Sequence, residues 1–437
     1  MKRVFLALAL AVPTVGAAQI VMVSSTPDAR PISLAEAVKL AQQNAPQTVQ
    51  ARGALRTTAA ATRAAIGAFT PSVTATMGGA NTVGQVISPA GVIGPYTGQP
   101  WNSTVGLTAT LPLFTGLTRL GQLRGARADE GAADANELAV RYNVAFQVKQ
   151  QYFAALAARE AMAAARAQLD AADQQFRAAV ARVQAGAATK SDSLRSVITV
   201  GNAKLALLTA RNNVRNANAA LTRLVQSPVP VTPITADTAD PVLVTLDSAA
   251  LEGLAEDGPA VRTSRAQLTS SQAAARVALG GYLPSLSLSY GTTGNNPQSS
   301  FTPLGAAAYQ NVLRLQLSYT LFNGFTREQG VVNTRVAEEN ASAQLRDALF
   351  LARQNFAQQL GLLRTAEQQI AIQHASVEAA DEDLRVQTQR YTLGASTLLD
   401  VLTSQTALNQ ARAALIQARF DYRNAKAQLE QLVGRDL

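Results

Sequence analysis

A chain of 437 residues would by default hold two or three domains, and its 47% apolar content leaves ample surface to bury, although aromatics make up only 5%. There is no cysteine, and the single histidine, His374, lies in a polar helical stretch with no ligand-like neighbours, so disulfides, thiolate chemistry, an acylated N-terminal cysteine, metal centres and cofactors have no foothold. The net charge of +9 is carried mainly by arginines spread along helices without interleaved aromatics, which reads as solvated helix faces and not as a nucleic-acid groove.

The chain opens with Lys2 and Arg3, an apolar run from Val4 to Val12 and then Gly16-Ala17-Ala18. This has the form of a secretory signal peptide over residues 1–18. No later apolar run approaches 18 residues, so no transmembrane helix is expected.

The next segments are read as a first repeat over residues 19–226. Ser33 and Glu36 have capping-box spacing ahead of a helical stripe of Leu34, Ala37, Val38 and Ala41, which Pro46 interrupts before an Ala-rich helix resumes to about Gly67. The period then changes from helical to alternating. Strands are expected at 72–80 and 103–113, with Val73, Ala75 and Met77, then Val105, Leu107, Ala109 and Leu111, on one face and hydroxyl residues on the other. Runs of this length and pattern suit a membrane-spanning β-strand. Aromatics flank them, Phe69, Phe114, Tyr282 and Phe322 at one end and Tyr96, Trp101 and Tyr309 toward the other, as in an interfacial girdle.

An elbow, Leu113-Phe114-Thr115-Gly116-Leu117-Thr118-Arg119, leads into a proline-free helix over 117–185, a rod of about 100 Å at 1.5 Å per residue. It ends in Arg182-Val-Gln-Ala-Gly186-Ala-Ala-Thr189-Lys-Ser-Asp192. Gly186 suits the left-handed residue that closes a helix, and Thr189 with Asp192 suits the capping box that starts the return helix over 190–225. In that helix Val200, Leu207, Val214 and Leu221 recur every seven residues, with Ala203, Ala210, Ala217 and Leu224 between them, which is a coiled-coil seam of closely approaching helices.

A Pro-rich linker is expected over 227–241, and everything before it then recurs over 242–437. Pro259 matches Pro46, strands fall at 284–292 and 311–321, and Leu321-Phe322-Asn323-Gly324-Phe325-Thr326-Arg327 repeats the elbow. The alternation here is read as Leu313, Leu315, Leu317, Tyr319 and Leu321 against Arg314, Gln316, Ser318 and Thr320. A long helix over 325–393 ends in Arg390-Tyr391-Thr-Leu-Gly394-Ala-Ser-Thr397-Leu-Leu-Asp400, 208 residues after its first copy, and a return helix fills 397–433 with its seam at Leu408, Leu415, Tyr422 and Leu429. Four strands cannot close a barrel and lipid does not tolerate an open sheet edge, so other copies of the chain must complete the wall.

This ordered set, present twice from about Ile32 to Val433, resembles the TolC-like outer-membrane efflux channels. The resemblance implies a fold of helices plus a membrane β-barrel, in which a homotrimer embedded in outer-membrane lipid closes twelve strands and continues them as a helical tube across the periplasm. It implies the exit duct of a tripartite efflux or type I secretion system, not an enzyme, opened by a periplasmic adaptor protein and an inner-membrane pump of RND or ABC type. Gly186, Thr189, Gly394 and Thr397 would form the tip turns that dock the adaptor, and Asp192, Tyr391 and Asp400 the periplasmic gate. Ser396 and Thr403 stand where some relatives carry Arg and Asp, which argues against a salt-bridged latch or a second acidic ring. A plainer reading makes Asp192 and Asp400 capping carboxylates only. The rival from another class is a secreted coiled-coil scaffold or surface adhesin without a pore, which accounts for the seams but not for four alternating strands at mirrored positions.

Overall fold

The computed structural model describes residues 29–81, 83–87, 93–95, 101–186, 188–234, 248–298 and 308–437. The leader at 1–18, Tyr96 and residues 235–247 lie outside the described residues.

The first repeat runs β1 (Arg30–Ile32), α1 (Leu34–Asn44), α2 (Pro46–Gly67), β2 (Ser72–Asn81), a small hairpin β3 (Gln85–Ile87) and β4 (Ile93–Pro95), β5 (Trp101–Thr115), α3 (Thr118–Gln184) and α4 (Lys190–Val225). The second runs β6 (Val231–Pro233), α5 (Ser248–Glu256), α6 (Pro259–Leu279), β7 (Ser285–Gln298), β8 (Ala308–Ser318), α7 (Thr326–Thr392) and α8 (Leu398–Val433). Both long helices hold 67 residues and both return helices 36, so the duplication is metrically close in its helical half. Pro46 and Pro259 each occupy the first turn of a helix, where a missing N–H costs nothing.

The seams are buried. Val200, Ala203, Leu207, Ala210 and Leu221 on α4, and Leu408, Leu415, Ala418, Tyr422, Ala425 and Leu429 on α8, face their own long helices with little exposure. Two clusters thicken this packing beside the rods. One gathers Ile32, Val148, Tyr152, Leu156, Leu221 and Val231, and the other gathers Phe356, Leu363, Ile370, Tyr422 and Leu429. The buried Tyr152 hydroxyl donates to the Ile32 carbonyl at 3.1 Å, which satisfies the polar end of an otherwise apolar contact.

Four expectations change. Strand β7, expected over 284–292, runs on from Ser285 to Gln298 through residues expected as loop. The segment expected as a plain linker contributes β6, which pairs in parallel with β1 from Arg30↔Val231 to Ile32↔Pro233. Strand β8 stops at Ser318, so Tyr319 and Leu321 lie beyond the sheet. Ser318 stands opposite Ser285, and the next position on β7's side is Pro284, which has no N–H to continue the ladder. The box at Ser33 is one-sided: its hydroxyl accepts from the Glu36 amide at 3.2 Å, but the Glu36 carboxylate turns instead to Arg30 at 2.5 Å.

Candidate functional site

The four long strands form one sheet in the order β2-β5-β7-β8, every neighbour antiparallel. Register sorts its two faces. One carries Val73, Ala109, Tyr290 and Leu313 in a single row, then Leu111, Leu288 and Leu315 in the next row but one. The opposite face carries Ser72, Thr110, Ser289 and Arg314 in one row and Thr74, Thr108, Gly291 and Val312 in another. Val73, Leu313, Leu315 and Leu317 are more than 60% exposed, an arrangement water would oppose and lipid would welcome. Among the described residues the outer strands β2 and β8 each have one partner only, so both sheet edges present unpaired backbone.

At the end of the sheet nearest the helices each elbow uses two consecutive left-handed residues, Gly116 (φ 63°) with Leu117 (φ 66°) and Gly324 (φ 65°) with Phe325 (φ 65°). The arginine that follows pins the bend. Arg119 lies 5.1 Å over the Phe69 ring, donates to the Ala68 carbonyl at 2.8 Å and also hydrogen-bonds the Pro112 carbonyl, while Arg327 lies 4.1 Å over Tyr282 and pairs with Glu328. At Gly116 any Cβ would collide with the Gly280 carbonyl at 2.3 Å, because the first elbow rests directly on the end of α6. The second elbow has no such neighbour around Gly324. Helix packing shows the same asymmetry: α3 packs on α6 and on α8, but no comparable packing joins α7 to α2 or to α4. Apolar side chains stand exposed on those free helices, among them Leu194, Ile198, Leu205 and Leu208 on α4 and Phe350 and Leu351 on α7.

The far ends of the rods hold the residues singled out by sequence. Gly186 (φ 72°) and Gly394 (φ 77°) take the left-handed conformation at the two turns. The Asp400 carboxylate accepts from the Thr397 amide and hydroxyl, each at 2.8 Å, while the Asp400 amide donates back to that hydroxyl at 3.3 Å. Asp192 accepts from the Thr189 amide at 3.0 Å and hydroxyl at 2.9 Å, but its own amide donates to the Thr189 carbonyl. The Asp400 carboxyl is held below the usual carboxylate range, chiefly by the Thr397 amide, then by its hydroxyl, with Arg390 adding a smaller attraction. Both carboxylates engage the cap through one oxygen, Oδ2.

Tyr391 is half-buried, and it meets a residue to which sequence reasoning gave no role. The Arg182 guanidinium lies 4.4 Å over the Tyr391 ring and donates to the Tyr391 carbonyl at 2.6 Å. That carbonyl also accepts from Gly394 in the closing turn of α7, so Arg182 places a cation on a helix C-terminus. The two hairpin tips are therefore joined within one chain. The signal was available: Arg182 and Arg390 occupy the same place in the two copies of the motif. Asp192 and Asp400 each bond within their own turn and do not take part in this link.

Comparison with known proteins gives one consistent answer. The family model described as outer membrane efflux protein matches residues 37–225 and 251–435. The cobalt-zinc-cadmium resistance protein CzcC of Cupriavidus metallidurans is 25% identical over 74% of this chain and 76% of its own length, and the pyoverdine export outer membrane protein OpmQ of Pseudomonas aeruginosa is 25% identical over 76% and 69%. Among solved structures, the CmeC outer membrane channel of Campylobacter jejuni superposes with a TM-score of 0.80 at 18% identity, covering 92% of this chain and 85% of that one. The outer-membrane channel OprN superposes at 0.77 with 17% identity, covering 98% of each chain.

Proposed function

We propose, from the premise that this chain belongs to the outer membrane efflux protein family, that three copies of it close a twelve-stranded barrel in the outer membrane and continue it as a helical tube. The chain is an outer-membrane exit duct of an efflux system, with its helical part in the periplasm. The observation that supports closure by further copies is the pair of open edges, and the number three is what membership of the family implies. An antiparallel sheet whose outer strands β2 and β8 run in opposite directions can pair β8 of one copy with β2 of the next without changing the pattern. Lipid forbids leaving those edges open, and a head-to-tail contact closes only as a ring.

Three further asymmetries support the same closure. The α3-to-α6 and α3-to-α8 contacts made inside the chain have no internal counterpart for α7, the other long helix. Gly324 lacks the backbone neighbour that Gly116 has. The exposed apolar stripes lie on α4 and α7, the two helices that would meet a neighbouring copy. A scaffold without a pore leaves both stripes and the apolar sheet face in water.

In this reading the tips around Gly186, Thr189, Gly394 and Thr397 dock a periplasmic adaptor, and an inner-membrane pump supplies the energy. Tyr391, held by Arg182, is the closing contact of the gate, while Asp192 and Asp400 keep the turns rigid and line the mouth. Membrane fractionation followed by SDS gels with and without heating tests the assembly: a heat-labile band near three times the mass of the processed chain, which weighs 45.8 kDa with its leader, is expected from the membrane fraction. A soluble monomer refutes it.

A further inference from the structure

From Ala64 to Thr118 and from Val277 to Thr326, which include all four long strands and their connecting loops, the sequence contains one charged side chain, Arg314. Every other position in those two stretches is neutral. Arg314 lies on the hydroxyl face of the sheet, in the row Ser72, Thr110, Ser289, Arg314, with Gln316 and Gln310 along the same side of β8. It is exposed, and no acid lies on any of the four strands. The row sits four residues before the end of β8 at Ser318, about 14 Å up the strand at roughly 3.4 Å per residue.

We infer that Arg314 is the charge-selecting residue of the barrel, and that this part of the duct, distinct from its periplasmic mouth, passes anionic solutes in preference to cationic ones. The inference rests on the trimeric reading above, in which the hydroxyl face lines the lumen. Three guanidinium groups then form one ring inside the barrel, about 14 Å along the strand from its helix-side end at roughly 3.4 Å per residue. Charged rings of this sign select anions in pores. Surface arginines are ordinarily muted by nearby carboxylates, but here none lies on the wall, so ions at about the 8 Å Debye length of physiological salt are the only screen. Since every other group on that face is neutral, the sign of the barrel is set by this one position.

Planar-bilayer recordings of the full-length protein test this, with citrate added on the loop side so that the probe meets the barrel before the tips. Wild-type current is expected to be blocked by citrate. In Arg314→Gln the half-blocking concentration is expected to rise about tenfold or more, a loss of about 1.4 kcal/mol of attraction, and Arg314→Lys is expected to restore the block. Equal block in wild type and Arg314→Gln, with conductance and the heat-labile oligomer intact, overturns the inference and leaves the duct standing. Absence of any conducting oligomer in the wild type overturns the duct reading and this inference with it.

Discussion

Arg182 and Tyr391, 209 positions apart in sequence, meet at the tip of the molecule, where the guanidinium covers the phenol ring and hydrogen-bonds its backbone carbonyl. Stacking at a partly exposed site contributes about 0.5–1 kcal/mol and a cation at a helix C-terminus about 0.3–1 kcal/mol, enough to bias the proposed gate without locking it. The repeat makes the link singular. Arg390 occupies the position of Arg182, but the residue matching Tyr391 is Val183, which has no ring to stack on. Closure between neighbouring chains would therefore be weaker than closure within one. Arg182→Ala and Tyr391→Leu are expected to raise single-channel conductance in planar bilayers to a similar extent, and the double variant no further than either alone; additive effects would separate the two residues.

Gly394→Val tests the tip in another way. The turn needs φ 77° and has nothing within 4 Å of an added Cβ, so a β-branched residue there is opposed by its own backbone conformation and by no neighbour. Pump-dependent export is expected to fall while the heat-labile oligomer persists in the membrane fraction, because the strain is confined to a turn far from the sheet. Loss of the oligomer would mean that the turn is needed for folding.

Much of this was legible in sequence because the determinants are local. Thr397 with Asp400, Gly186, Gly394 and the seven-residue spacing of Leu408, Leu415, Tyr422 and Leu429 each act within one or a few helical turns, so spacing alone identifies them. What escaped depends on partners far along the chain. The ring of Tyr391 gives no hint of Arg182, and Val231–Pro233 is too short and proline-flanked to read as a strand until Arg30–Ile32 lies beside it. The early end of β8 is likewise set by Pro284, a residue on a different strand's approach. The isolation of Arg314 could be counted in the sequence, but its hydroxyl neighbours required the register.

Asp400 predicts a pH dependence with a definite sign. The Thr397 amide and hydroxyl hold its carboxyl below the ordinary value of 3.8, so the cap is in place above that value and is lost only as pH falls through the lowered one. Wild-type conductance and ion preference are accordingly expected to be unchanged between pH 7 and pH 5. Asp400→Ala is expected to reduce the attraction of the mouth for cations, since a ring of carboxylates concentrates them in a narrow passage. A reversal potential identical to wild type in a salt gradient would assign Asp400 to the helix cap alone.

Lys149 joins the two repeats far from the tips, where α3 meets the end of α8. Its amine lies 2.6 Å from Glu430 and 2.9 Å from Asp436, with the Lys149 and Glu430 side chains 14% and 9% exposed. Burial opposes the lysine charge, but hydrogen bonds to the two carboxylates outweigh it and raise the amine above its ordinary value, so the amine stays charged at neutral pH and its contribution is lost only as pH rises through the raised value in strong alkali. Removing one partner strands a buried carboxylate, which costs about 3 kcal/mol, whereas replacing both by apolar groups of similar volume is near neutral. Lys149→Met is therefore expected to lower the temperature at which the oligomer dissociates, and Lys149→Met with Glu430→Leu to recover most of the loss. If the double variant is as unstable as the single one, the contribution of Lys149 lies in its packing and not in the charge it neutralises.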